Sequence, residues 1–272
     1  INISLNSLEE YVRDLSRAIA TPEPDYEKIG VKVDGRYRQL NANLLQIENE
    51  YYSSVRPKRV AMSGERPTAA LRRGGIEYVE VRSLDINVFD PCGINQNTMR
   101  FMEAMLIYCM LADSPKLGVT ELDELARNQI ETAKHGRDPD FRLRRDGKPV
   151  TVPDWGSELI EGIVAVASVL DRQDGSDCYV AAVTQMQELV ADPDATPSAR
   201  IIAELRDADC GFFTFALAMA HSHKTYFDSI AEPNDAVEAE YHEEAIDSLK
   251  RQAEIEAQDS MSLDEYLANY FR

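Results

Sequence analysis

The run Gly74-Gly75-Ile76-Glu77-Tyr78-Val79-Glu80-Val81-Arg82-Ser83-Leu84-Asp85-Ile86-Asn87 constrains this chain more than any other segment. Its β-branched and aromatic residues predict a strand, opened by two glycines. Side chains alternate along a strand, so Tyr78, Glu80, Arg82 and Leu84 share one face. Val79, Val81 and Ser83 share the other. A carboxylate and a guanidinium two positions apart therefore project side by side, and both are costly to bury uncompensated. A metal-bound polyphosphate compensates both, the carboxylate holding the cation and the arginine meeting the anion. A plain strand-borne ion pair, worth about 0–1 kcal/mol if exposed, fits the same pattern.

Leu44 to Tyr52 also alternates and predicts a second strand. Leu45, Ile47, Asn49 and Tyr51 fall on one side; Gln46, Glu48, Glu50 and Tyr52 form an acidic, hydrogen-bonding side. Arg56-Pro57-Lys58-Arg59 follows as a basic loop. Residues Met62 to Arg73, with Arg66, Arg72 and Arg73, are expected to be a mobile basic connection. Two polar-faced strands around a basic loop suit a cleft for cations and phosphate, and equally suit an antiparallel sheet with one solvated face.

Helices dominate the rest. Ser7-Leu8-Glu9-Glu10 and Ser262-Leu263-Asp264-Glu265 are capping-box patterns, and Thr196-Pro197 is a cap followed by a first-turn proline. Helices are expected over Asn95–Ala112, Thr120–Lys134 (Leu122, Leu125 and Ile130 inward), Glu158–Asp171, Cys178–Ala191, Ser198–Asp207 and Phe212–Ile230. An acidic helix follows from Asp235, with a last short one after Ser262. Met99, Met102 and Met105 are expected as core filler. Asp34-Gly35 and Asp146-Gly147 mark hairpin turns.

The chain is acidic, with 29 basic against 48 acidic side chains and a net charge of −19, which argues against nucleic-acid or anionic-membrane binding. Four cysteines without CxxC spacing predict free thiols. His221 and His223 lie two apart on a predicted helix and point in different directions, so no zinc motif arises. The apolar stretch from Met99 to Leu111 is too short to span a bilayer, and no signal-peptide pattern opens the chain. A cytoplasmic location is the expectation.

Leu45-Gln46-Ile47-Glu48-Asn49-Glu50, Arg56-Pro57-Lys58-Arg59 and Gly74-Gly75-Ile76-Glu77-Tyr78 running on to Asn87 together resemble the proteobacterial type of glutamate–cysteine ligase. The match is strongest over residues 1–112 and runs more loosely to the end. Members of that family are roughly twice as long, and this chain resembles their C-terminal half; its start at Ile1 fits a truncation. The resemblance implies ATP-dependent ligation of L-glutamate to L-cysteine through a γ-glutamyl phosphate, with Mg2+ on the phosphates. It implies Glu80 as a magnesium ligand, Arg82 as the arginine meeting the transferring phosphate and substrate carboxylate, and Tyr52 as a wall of the cysteine pocket. Arg56, Lys58 and Arg59 are phosphate candidates by position and charge only. The remaining metal ligands belong to the missing N-terminal half.

The implied fold is α+β, part of an antiparallel glutamine-synthetase-like sheet over residues 30–90 followed by a mostly helical region. On this reading residues 1–112 belong to the catalytic funnel and residues 113–272 support it. The isolated chain is then expected to be unstable or inactive without its missing half. Two other readings stay open: a non-catalytic helical interaction fragment, and a related carboxylate–amine ligase with another amino-acid substrate.

Overall fold

Most helix starts, though not those of the helices opening at Pro67, Val119, Cys178 and Phe212, are capped by the side chain of the residue before them in the computed structural model, which describes residues 1–231 and 234–271. Helix α1 (Leu8–Ala18) begins where the Ser7 side chain accepts the Glu10 amide. The Glu10 carboxylate accepts instead from the Ser4 hydroxyl, so the expected reciprocal box is replaced by a longer-range bond. Helix α2 (Pro24–Ile29) leads to strands β1 (Lys32–Val33) and β2 (Arg36–Tyr37), paired antiparallel across Asp34-Gly35. Both turn residues have positive φ, 51° and 74°, as a tight hairpin of this hand requires. Strand β3 (Val55–Lys58), helix α3 (Pro67–Gly74) and strand β4 (Tyr78–Val81) follow.

Then come helices α4 (Gln96–Leu111) and α5 (Val119–His135), the hairpin β5 (Leu143–Arg145) and β6 (Lys148–Val150) around Asp146-Gly147, and helices α6 (Val152–Asp174), α7 (Cys178–Ala191), α8 (Pro197–Asp207) and α9 (Phe212–Ile230). Helices α10 (Asp235–Gln258) and α11 (Leu263–Tyr270) end the chain, the last opened by a complete Ser262–Glu265 capping box. The fold class is α+β, with small antiparallel ribbons among many helices.

By contacts the chain forms two compact units, Ile1–Leu84 with Glu232–Arg272, and Asp85–Ala231. In the first, Tyr11, Val12 and Leu15 of α1 pack with Ile3, Leu45 and Leu71. The Tyr11 and Tyr51 rings meet edge-on at 6.4 Å. In the second, Ala104 of α4, Ile160, Ile163 and Ala167 of α6 and Val183 of α7 form the core. Gly162 lets α6 approach the Tyr108 ring; a Cβ there would lie 2.3 Å from the ring.

Two expectations about the interior fail. Among α4 residues only Ala104 is fully buried, while Met99 is exposed and Met105 merely packs against the core edge. On α5, Leu125 and Ile130 face solvent, at 42% and 54% exposure. The buried residue there is Asn128, whose amide donates to the Arg144 carbonyl (2.7 Å) and accepts from its amide (2.8 Å). A polar clasp onto β5, rather than an apolar stripe, docks α5.

Candidate functional site

The expected strand over Leu44–Tyr52 is a loop closing in a 3-10 turn at Glu48–Glu50. Side chains capture the backbone groups that a ladder would need. Gln46 Oε1 accepts the Leu40 amide (2.6 Å), the Asn41 amide donates to the Gln46 carbonyl (2.9 Å), and the Glu50 carboxylate accepts the Gln46 amide (2.6 Å). The expected basic loop is the strand instead. β3 pairs antiparallel with β4 in the register Val55↔Val81, Arg56↔Glu80, Pro57↔Val79 and Lys58↔Tyr78. Proline is tolerated because each strand of a two-stranded ribbon is an edge.

The expected mobile connection contains helix α3, opened by Pro67 and ending at the double glycine. Gly75 adopts φ 75°, closed to most side chains, and Gly74 leaves room for Arg59, whose guanidinium carbon would lie 2.6 Å from an added Cβ. Arg59 donates to the carbonyls of Gly74 and Gly75, the latter at 2.6 Å, and so caps the negative end of α3.

Strand alternation puts Glu80 and Arg82 together as expected: Arg82 Nη1 lies 3.1 Å from Glu80 Oε2. Lys58 Nζ, one cross-strand step away, is 3.7 Å from the same oxygen. The Arg82 guanidinium sits over the Tyr52 ring, 4.5 Å from its centre, so these two predicted residues also meet. Partial burial works to raise the Glu80 pKa, but the charge of Lys58, the Arg82 hydrogen bond and the more distant Arg56 override it and hold the carboxyl below its ordinary value. One carboxylate is thus surrounded by three cations on a chain of net charge −19. The cluster carries excess positive charge suited to an anion.

Arg56 lies in register with Glu80 but is buried, hydrogen-bonded to Tyr11, with its Nε lacking any partner. Burial raises the Tyr11 pKa, against the opposing influence of Arg56. An orphaned buried donor beside a cationic cluster is a group that an anionic oxygen would satisfy.

Sequence reading missed the clamp on Glu48. This fully buried carboxylate accepts on Oε1 from Arg66 Nε (2.9 Å) and Thr68 Oγ1 (2.7 Å), with Arg66 Nη2 at 2.8 Å. It ties the turn that leads into Tyr52 to the start of α3. The basic residues after Lys58 hinted at a partner, but only the helix puts Arg66 and Thr68 within reach of one oxygen.

Glu65 is gripped bidentately by Arg73, at 2.9 and 3.0 Å, and accepts the Met62 amide at 2.9 Å. These bonds, the Arg73 pair first, lower its pKa from 4.5 to about 2. A depressed folded pKa contributes stability above the ordinary value, and that contribution fades as pH falls from 4.5 to about 2. Carboxyl-carbon NMR is expected to show Glu65 titrating near 2, and Arg73→Ala to return its midpoint toward 4.5.

As for metal, Glu80 offers hard oxygens kept ionised. No group of three or more His, Cys, Asp or Glu side chains able to hold a metal occurs among the described residues. Glu80 fits a single protein ligand that phosphate oxygens and other groups complete, which is how magnesium is often held. No helix among the described residues is long and apolar enough to cross a membrane.

The family model for glutamate–cysteine ligase matches residues 1–132, which contain every candidate side chain above. A glutamate–cysteine ligase of Alcanivorax borkumensis is 47% identical over 99% of this chain and 52% of that protein. One from Pseudomonas aeruginosa is 43% identical over 97% and 50% respectively. This chain belongs to the glutamate–cysteine ligase family. It spans about half the length of the curated relatives it matches. Among solved structures, glutamate–cysteine ligase from Francisella tularensis in complex with AMP superposes with a TM-score of 0.89 at 36% identity, over 99% of this chain and 53% of that one. A bifunctional glutathione synthetase from Pasteurella multocida shares the fold alone, with a TM-score of 0.55 at 18% identity over 83% of this chain and 25% of that one. For a glutamate–cysteine ligase family member, a cationic cluster around one ionised carboxylate is the natural place to look for phosphate chemistry.

Proposed function

We propose that this chain is part of a cytoplasmic ATP-dependent ligase that joins the γ-carboxylate of L-glutamate to the amine of L-cysteine, the first step of glutathione biosynthesis. The observation that carries the reading is the Arg82–Glu80–Lys58 cluster beside Tyr52. Family membership supports the substrates, and the AMP in the Francisella complex supports a nucleotide.

A carboxylate resists attack by an amine, so it must first become a mixed anhydride. An oxygen of the glutamate γ-carboxylate attacks the γ-phosphorus of ATP, and ADP leaves. The cysteine amine then attacks the acyl carbon and loses a proton, while phosphate departs with the oxygen that glutamate supplied. Arg82 meets the charge spreading over the transferring phosphoryl oxygens and the substrate carboxylate, and its stacking on Tyr52 fixes the fork. Tyr52 lines the cysteine pocket. Lys58 is the best placed of the three basic candidates, because Arg59 is committed to carbonyls and Arg56 is buried.

Glu80 would hold magnesium through one carboxylate, and the ion, when bound, neutralises charge on the β- and γ-phosphate oxygens. The other half of the full-length polypeptide supplies the remaining ligands. The test joins this chain to that half from a relative and supplies glutamate labelled with oxygen-18 in its γ-carboxylate. One labelled oxygen per turnover is expected in released inorganic phosphate. Label in AMP, or label-free phosphate alongside the ligated product, would refute acyl phosphate chemistry.

A further inference from the structure

Helix α11 lies against the elements that carry the Glu48 clamp, all within the unit of Ile1–Leu84 and Glu232–Arg272. Asp264, Leu267 and Phe271 recur at i, i+3 and i+7, the spacing of one helix face. At the start of α11, Asp264 receives Lys32 Nζ at 2.8 Å and the Tyr37 hydroxyl, one group from each strand of the β1–β2 hairpin. Leu267, one turn on, is the buried residue of the helix. At its end the Arg66 guanidinium lies 5.8 Å from the centre of the Tyr270 ring, and Phe271 lines a cleft together with Arg66 and Thr68.

Arg66 and Thr68 are the two side chains that grip Glu48. The carboxylate is fully buried, while the Arg66 side chain stays 24% exposed. A ring placed over a guanidinium attracts it and keeps water away from its ion pair, and both effects strengthen the pair. The Tyr270 pKa is raised, by burial first and then by the charge of Glu48, with Arg66 opposing, so the ring stands close to both partners. Glu48 opens the 3-10 turn in which the Tyr51 amide donates to the Glu48 carbonyl at 3.2 Å, and Tyr52 comes next. Tyr52 is itself 70% exposed, so the turn before it and the Arg82 contact fix its ring.

We propose that Tyr270 is a positioning residue: its ring holds Arg66 on Glu48 and, through the Glu48 turn, sets where Tyr52 meets Arg82. The effect on the turn stands without any assignment of function. The effect on catalysis rests on the ligase reading, in which Tyr52 lines the cysteine pocket.

The experiment uses this chain joined to the rest of a full-length relative and compares Tyr270→Ala, Tyr270→Phe and Asp264→Ala with the unaltered protein. Amide hydrogen exchange reads the turn. Tyr270→Ala is expected to speed exchange at the Glu50 and Tyr51 amides about threefold to tenfold, the factor set by losing one partly buried cation–π contact, and to leave amides within α6 unchanged. Steady-state kinetics reads the site. The KM for cysteine should rise about fivefold in Tyr270→Ala, with the KM for MgATP within about twofold of the unaltered protein. Loss of folded protein alone would lower kcat and leave every KM where it was, so this split separates positioning from instability. Tyr270→Phe keeps the ring over Arg66 and should rescue both readouts. Asp264→Ala changes an exposed side chain at the other end of α11 and should move both readouts the same way by a smaller factor, which decides the matter if Tyr270→Ala does not fold. Unchanged exchange at Glu50 and Tyr51 would overturn the proposal, as would faster exchange with the KM for cysteine unmoved in an active ligase. A joined protein without ligase activity would count against the ligase reading instead, and the exchange result would still decide whether Tyr270 holds the turn.

Discussion

Replacing Arg82 by alanine is expected to lower kcat of the enzyme, assembled with its other half, by about 10²- to 10³-fold, the usual effect of removing one preorganised donor from a developing anion. The guanidinium is fixed twice before any substrate arrives, by the Glu80 carboxylate at 3.1 Å and by the Tyr52 ring beneath it. That preorganisation is why the loss should fall on kcat more than on KM. Arg82→Lys keeps the charge but loses the planar fork and much of the stacking, so it should restore only part of the rate. Tyr52→Phe keeps the ring under Arg82 and should be far milder than Tyr52→Ala. Steady-state kinetics on the four variants checks the order; an Arg82→Ala enzyme within fivefold of wild type would remove the arginine from the chemistry.

Glu48→Ala is expected to be the most destabilising single change in the first unit. The carboxylate is fully buried and receives three donors on one oxygen, so its loss leaves Arg66 and Thr68 facing a hole. Breaking a buried pair by removing one partner costs about 3–5 kcal/mol, and the partial exposure of Arg66 places this case near the lower end. Glu48→Gln retains an acceptor for Thr68 and should lose about half as much. Glu50→Ala removes only a carboxylate bonded to the Gln46 amide on an exposed turn, and should cost about 1 kcal/mol or less. Urea unfolding of the three variants tests the ranking. Because the Glu48 turn runs directly into Tyr52, its loss should also loosen the ring beneath Arg82.

Local chemistry made part of this legible in advance. The Glu80–Arg82 pair follows from strand alternation alone, although β4 spans four residues rather than fourteen and ends at Val81; Arg82 follows directly, its amide donating to the Ser54 carbonyl at 2.8 Å. Hairpins at Asp34-Gly35 and Asp146-Gly147, and helix starts at Ser7, Thr196 and Ser262, rest on a few adjacent residues and hold. Failures occur where particular side chains, rather than periodicity, decide. Leu44–Tyr52 alternates like a strand, but Asn41, Gln46 and Glu50 claim its backbone. The pairing partner of β4 was hidden in a stretch whose charge and proline suggest a loop. Helix α5 has the apolar periodicity of a buried helix, yet Asn128 docks it; Leu125 and Ile130 stay in water and Leu122 is only half-buried. Periodicity reports which face is apolar; it does not report whether anything covers that face.

Calorimetric titration with MgATP of the chain joined to the rest of a full-length relative, beside its Glu80→Ala and Arg82→Ala variants, tests the central claim most directly. One-to-one saturation by the unaltered protein, weakened tenfold or more in both variants, is the predicted result. Equal affinity in all three proteins would contradict it, and would leave the ribbon face holding an ion pair and nothing else.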